Sequence, residues 1–124
     1  MIAHMVEKIR AIDYQWGFPT FTRDLSRALA RLLELGRSGV FHVTNAGFYT
    51  RLDLARQIFS YRKKDVIIIL ISSAELGRPA RRPANSVFNC LRFEQATGLK
   101  MRSWSEALQK YLAFRSIQCY KIFL

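Results

Sequence analysis

The sequence predicts an α/β fold with an incomplete sheet, and three observations carry that prediction. Apolar residues recur at helical spacing in stretches near residues 23–35, 50–61 and 104–114. Between and beside them lie two short segments, Gly39–Thr44 and Val66–Ser72, that are apolar and β-branched rather than alternating. Strands of parallel sheets covered on both faces have that composition. Two convincing strands are nevertheless too few, because a two-stranded sheet is marginal in water. The apolar character of Gly39–Thr44 therefore predicts strand neighbours that these 124 residues do not supply.

In chain order, Ile9–Gln15 is a weak strand candidate ended by Gly17. A helix is expected from Arg23 to Leu35, with Thr22 placed to cap it, Asp24 favouring the first-turn dipole and Gly36 just beyond its end. Its apolar face is Leu25, Ala28, Leu29 and Leu32, and Arg23, Arg27 and Arg31 form the opposite, solvated face. Gly39–Thr44 is the next strand, and Asn45-Ala46-Gly47 a turn. Thr50 and Asp53 fit a capping box for a helix to about Tyr61, whose apolar face is Leu54, Ala55, Ile58 and Phe59. Val66–Ser72 is the strongest strand. Ser73–Asn85 reads as one long loop, and Asn85–Asn89 as briefly extended. A short helix over Leu91–Thr97 stops at Gly98, and Ser103-Trp104-Ser105-Glu106 opens a last helix reaching Phe114. The apolar tail, residues 116–124, has no evident role.

Twenty Lys and Arg against nine Asp and Glu give a net charge of +11. The excess is +4 over residues 1–62 and +7 over residues 63–124. A basic balance favours phosphorylated or polyanionic partners. The densest cluster, Arg78, Arg81 and Arg82, stands among Pro79 and Pro83 in a loop rather than along a repeating face. That suits one compact anion better than a long polymer, so specific nucleic-acid binding is not expected. Cys90 and Cys119 make neither a disulfide framework nor a zinc spacing. The longest apolar run, Val66–Ile71, is six residues, against the 18 or more that a membrane span needs. With no signal-peptide pattern at the N-terminus, a cytoplasmic chain without a membrane partner is expected.

No catalytic residue, metal site or cofactor-binding motif is expected within these residues. There is no glycine-rich dinucleotide loop, no P-loop, and no Tyr followed four residues later by Lys. His4 and His42 lack metal-ligand spacing, and His42 reads as a core histidine inside its strand; Cys90 reads as buried. Two segments have unusual local chemistry, Gln15–Leu25 and Ala80–Asn89, each joining polar side chains to stiff turns. An Arg fork in the second could hold phosphate oxygens bidentately, with Pro83 limiting the freedom that binding must freeze. Both segments could equally be surface connections.

These segments, in this order, resemble the dTDP-4-dehydrorhamnose reductase family, a branch of the extended short-chain dehydrogenases. The family pattern Asp-Gln-x-Gly-Ser-Pro-Thr-x-Thr-x-Asp-Leu-Ala is similar to Tyr14-Gln15-Trp16-Gly17-Phe18-Pro19-Thr20-Phe21-Thr22-Arg23-Asp24-Leu25-Ser26. Gly39–Gly47 matches Gly-x-Tyr-His-Val-x-Asn-x-Gly, and Leu54–Ile58 matches Leu-Ala-x-x-Ile. Arg82-Pro83-Ala84-Asn85-Ser86 and Trp104-Ser105-Glu106-Ala107-Leu108 match the family's Arg-Pro-x-Asn-Ser and Trp-x-x-Ala-Leu. Among the departures, Tyr14 for Asp and Phe18 for Ser or Ala change the local chemistry most. The resemblance covers about residues 10–112.

It implies the C-terminal part of such an enzyme: the last Rossmann strand and helix plus a small substrate-binding α/β subdomain. Residues 1–115 would be the sugar-nucleotide-binding portion, and 116–124 the tail. The family uses NADPH to reduce dTDP-4-dehydrorhamnose, with its glycine-rich loop and Tyr-x-x-x-Lys upstream of everything present here. The resemblance implies Arg82 as the diphosphate contact and Gln15, Thr20, Asn85 and Ser86 as hydrogen-bonding groups for a dTDP-sugar. It also implies the missing N-terminal Rossmann portion, or another subunit, as a protein partner. A noncatalytic module, like the regulatory subunit of methionine adenosyltransferase, and a charge-driven nucleic-acid binder are the alternatives.

Overall fold

The computed structural model of the protein describes residues 7–12 and 14–115; the apolar tail lies outside them. The elements run β1 (Glu7–Ile12), β2 (Trp16–Gly17), α1 (Thr22–Glu34), β3 (Tyr49–Thr50), α2 (Arg51–Arg62), β4 (Val66–Ile71), α3 (Ser73–Leu76), α4 (Leu91–Thr97) and α5 (Trp104–Arg115). The chain divides into two compact units.

The first unit holds the described residues up to Gly17 together with Tyr49–Ser86. Its β1 and β4 pair in parallel, Glu7 opposite Val66 through Ile12 opposite Ile71, and α2 packs on both. Ala11, Ile12 and Ile71 are buried, whereas Ile67, Ile69 and Leu70 stay exposed. A parallel strand of this composition is built to be covered twice, and here the cover is partial. The weak candidate Ile9–Gln15 is only partly a strand: β1 starts earlier and ends at Ile12, and Gly17, expected to end it, instead belongs to the separate β2, which pairs antiparallel with β3, Trp16 opposite Thr50 and Gly17 opposite Tyr49. The capping box of α2 forms as expected. Thr50 Oγ1 accepts the Asp53 N–H at 3.2 Å, and the Asp53 carboxylate accepts the Thr50 N–H at 2.9 Å. The long loop after β4 instead begins with α3, closed by the same device between Ser72 and Glu75.

The second unit holds Phe18–Phe48 together with the described residues from Val87 onward. Ala28 and Leu32 of α1 meet Phe93 of α4 in a buried cluster, with Phe41, Val43 and Met101 packed against it. Ala107, Leu108 and Leu112 line the buried side of α5. Leu29, assigned to the apolar face of α1, is half exposed, because α4 covers that helix along a narrower stripe.

The main correction concerns Gly39–Thr44. The segment forms no ladder, and Val40 is 72% exposed. A strand needs neighbours to take its backbone groups, and none reaches this one; instead the Arg92 guanidinium donates to the Val40 carbonyl at 3.0 Å. His42, expected in the core, is exposed for the same reason, its ring 4.5 Å from that of Phe88. Cys90 is only partly buried, its sulfur 3.2 Å from Thr44 Oγ1. After Asn45, Gly47 has a φ of +87°, and a Cβ there would stand 3.1 Å from the Trp104 ring, so the turn requires glycine.

Thr22 does not cap α1. It is the first helical residue, and the N-cap is Phe21, whose side chain offers no acceptor. The Phe21 N–H is taken by Asn45 Oδ1 at 2.7 Å. Asn45 Nδ2 in turn donates to Asp24 Oδ2 at 2.8 Å, and Arg102 Nε meets Asp24 Oδ1 at 3.1 Å. Asp24 is thus a buried ion-pair partner, beyond the dipole role its first-turn position suggests. Arg102 Nη1 is buried with no hydrogen-bond partner, 4.0 Å from Glu106.

Candidate functional site

The first unit brings together residues some seventy positions apart. The Trp16 N–H donates to the Ala84 carbonyl at 2.8 Å, and the Ser86 N–H donates to the Trp16 carbonyl at 3.1 Å. This parallel bridge sets Asn85 opposite Trp16, while β3 flanks Trp16 on its other side. Gln15–Gly17 therefore runs between two extended neighbours, with the Arg78–Pro83 loop leading into one of them.

Successive side chains in an extended strand point to opposite faces, and residues in register share one. Trp16, Thr50 and Asn85 accordingly share one face, and Gln15, Gly17, Tyr49 and Ser86 the other. The 3.6 Å between a Cβ built on Gly17 and Ser86 Oγ agrees with that division. Ser86 Oγ donates to the Trp16 carbonyl at 3.0 Å. Its proton is committed to the backbone, and its lone pairs remain for an outside donor.

Four of the five candidate residues, Gln15, Arg82, Asn85 and Ser86, thus lie in one unit, with Asn85 on the opposite face from Gln15 and Ser86. Thr20 belongs to the second unit, partly buried just ahead of α1. Arg78, Arg81 and Arg82 are exposed, and no carboxylate among the described residues pairs with them. An unpaired, solvated guanidinium keeps all five donors for an anion. The Tyr49 hydroxyl has its pKa raised by burial, against a smaller opposing effect of the Arg51 charge. It stays a neutral phenol at physiological pH.

Both departures from the resembled pattern find structural work. The Tyr14 hydroxyl accepts the Ser73 N–H at the start of α3. Phe18, in the second unit, sets its ring 5.0 Å from that of Phe88. Trp16 stands 41% exposed at the centre of the bridge.

Among the described residues no group of acidic, His or Cys side chains could hold a metal ion. The N-termini of α2 and α3 are closed by the Asp53 and Glu75 carboxylates.

Comparison with known proteins gives a consistent answer. The family described as the RmlD substrate binding domain matches residues 2–116. The spore coat polysaccharide biosynthesis protein SpsK of Bacillus subtilis (strain 168) is 33% identical over 118 residues, covering 95% of this chain and 41% of that protein. A dTDP-4-dehydrorhamnose reductase of Mycolicibacterium smegmatis is 38% identical over 107 residues, covering 85% of this chain and 33% of the relative. Crystal structures agree. A dTDP-4-dehydrorhamnose reductase from Clostridium acetobutylicum superposes with a TM-score of 0.85 at 32% identity, over 90% of this chain and 40% of the other. One from Bacillus anthracis, in complex with NADP, gives 0.83 at 31% identity, over 87% and 38%. The chain thus spans about a third to two fifths of the length of these proteins. The match runs through both units, including the bridged Trp16 and Asn85 segments and the unpaired Gly39–Thr44 stretch, and on that extent the chain belongs to the RmlD substrate-binding-domain family.

Proposed function

We propose that this chain is the sugar-nucleotide-binding portion of a dTDP-4-dehydrorhamnose reductase-like protein, and that alone it transfers no hydride. The observation that carries the reading is the Trp16 bridge, which joins the Gln15–Gly17 strand to the Arg82–Ser86 segment. Arg82 holds the diphosphate: it is exposed, unpaired and followed by a proline that restrains its loop. Gln15, Asn85 and Ser86 are hydrogen-bonding groups for the nucleotide or sugar. In this reading the hydride donor of the whole enzyme, NADPH, is held by polypeptide outside these 124 residues, a reading supported by the carboxylates that close the N-termini of α2 and α3. The reading places the chain in the cytoplasm; among the described residues no helix is long and apolar enough to cross a membrane.

Isothermal titration of the chain with dTDP is the test. Saturable binding is expected, weakened at least tenfold in Arg82→Ala, the scale of one charge-assisted bidentate contact (about 1.5–3 kcal/mol). Unchanged dTDP affinity in that variant removes the diphosphate assignment. NADPH oxidation by the isolated chain in the presence of dTDP-4-dehydrorhamnose contradicts the claim that it is inactive alone.

A second reading, a noncatalytic module that binds another protein, is favoured by the exposed apolar side chains of the second unit, among them Leu33 at 79% and Val40 at 72%. Stable copurification with a partner that lacks reductase motifs would support it over the first.

A further inference from the structure

We propose that the second unit carries an anion site of its own, a cleft between α1, the α4–α5 loop and α5 that takes a small phosphate monoester with an apolar body. The cleft has a volume of about 340 Å³, at the low end of the range for small-molecule sites (about 300–1,000 Å³). Every residue lining it belongs to that unit. The inference is therefore independent of the nucleotide reading, whose Arg82 lies in the first unit.

The charge of the lining selects the charge of the ligand. Arg27 of α1, Lys100 and Arg102 of the loop, and Lys110 of α5 stand against two carboxylates, Asp24 and Glu106. Asp24 is already committed, with Asn45 on one oxygen and Arg102 Nε on the other. Glu106 reaches only Arg102 Nη1, at 4.0 Å, and that buried nitrogen has no hydrogen-bond acceptor. Arg27, Lys100 and Lys110 are exposed, and no carboxylate among the described residues pairs with them. The lining thus carries two positive charges in excess, with three side chains left to donate. A phosphate monoester, with a second pKa near 6, is close to dianionic at neutral pH, whereas a carboxylate brings one charge. Its three terminal oxygens also suit donors arriving from three separate elements. Ala28, Leu99 and Met101 complete the cleft with apolar wall. Covering that wall adds affinity only for a ligand with an apolar part, which points to an ester rather than to the inorganic ion.

Titration calorimetry at fixed ionic strength tests the proposal, on the full chain carrying Arg82→Ala so that the diphosphate contact of the first unit does not contribute. Phenyl phosphate is the probe, with inorganic phosphate and benzoate as comparisons. Phenyl phosphate is expected to saturate one site per chain and to bind about threefold tighter, or more, than either comparison. Lys100→Gln and Lys110→Gln together, both at exposed positions that spare the core, should weaken it about tenfold. Glu106→Gln should instead tighten it about threefold by removing a like charge from the cleft, an effect that damage to the fold would not produce. The proposal is overturned if phenyl phosphate shows no saturable binding, if the double lysine variant binds it unchanged, or if benzoate or inorganic phosphate binds as tightly. None of these results touches the nucleotide reading, which stands or falls on the dTDP titration.

Discussion

The Asp24 carboxylate shows how far a single side chain can be committed. It is 5% exposed, yet each of its oxygens has a partner, Asn45 on one and Arg102 on the other. Asn45 is itself almost fully buried and also takes the Phe21 N–H that no side-chain cap serves. A buried charge is tolerated only when its partners replace its lost hydration. Truncating one partner therefore costs more than the pair contributes. Arg102→Ala should destabilise the second unit by on the order of 3 kcal/mol, read as a lower urea midpoint in the fluorescence of Trp104. An unchanged midpoint would mean that water reaches Asp24 and replaces the guanidinium. The spacing of Asp24, Asn45 and Arg102 in the sequence gave no hint of this network. Asp24 could be read only as a residue favouring a helix dipole, because the other two members approach it through tertiary contacts.

Among the elements, α2 is the one whose start the sequence specifies most sharply. Thr50 and Asp53 form the reciprocal box that their spacing predicts, since both partners lie within one turn and need nothing from elsewhere. α2 contains no fully buried residue, so local capping weighs heavily in its stability. Thr50→Ala is expected to cost about 1 kcal/mol, seen as faster hydrogen exchange of the first-turn amides of α2 with α5 unaffected. Equal exchange before and after would show that packing on β1 and β4 alone sets the helix start. Gly39–Thr44 is the opposite case. Its composition is that of a strand, and its own Phe41 and Val43 do pack against the α1–α4 cluster, but a ladder requires a second chain segment. The Arg92 bond to the Val40 carbonyl satisfies one backbone acceptor and leaves the strand unformed.

For the molecule as a whole, the described residues leave sixteen large apolar or aromatic side chains exposed against nine buried apolar ones. That balance is the reverse of what a self-sufficient core needs, and contiguous exposed apolar surface marks an interaction site or an aggregation hazard. Unpaired strand-like segments add to the hazard. The isolated chain should therefore self-associate, and Val40→Lys, which places a charge on the open segment, should raise the monomer fraction in sedimentation velocity. A monodisperse monomer at the same concentration would show that the exposed surface is harmless. The proposed nucleotide site does not depend on this outcome, since four of its five candidate residues lie in the first unit.

By itself the sequence determined what local chemistry determines: the starts of α2 and α5, the stops of α1 and α4 at glycines, the strand at Val66–Ile71, and the five motifs that placed the chain near its family. Each of these depends on residues a few positions apart, so a reader of the chain can find it. Only the tertiary structure decided which distant pieces meet. It put Asn85 beside Trp16 through backbone bonds that leave no mark in composition, turned a presumed dipole residue into a buried ion-pair partner, and left a strand-like segment without its ladder. Backbone pairing and charge burial are properties of two segments at once, and one segment read alone carries only half of each.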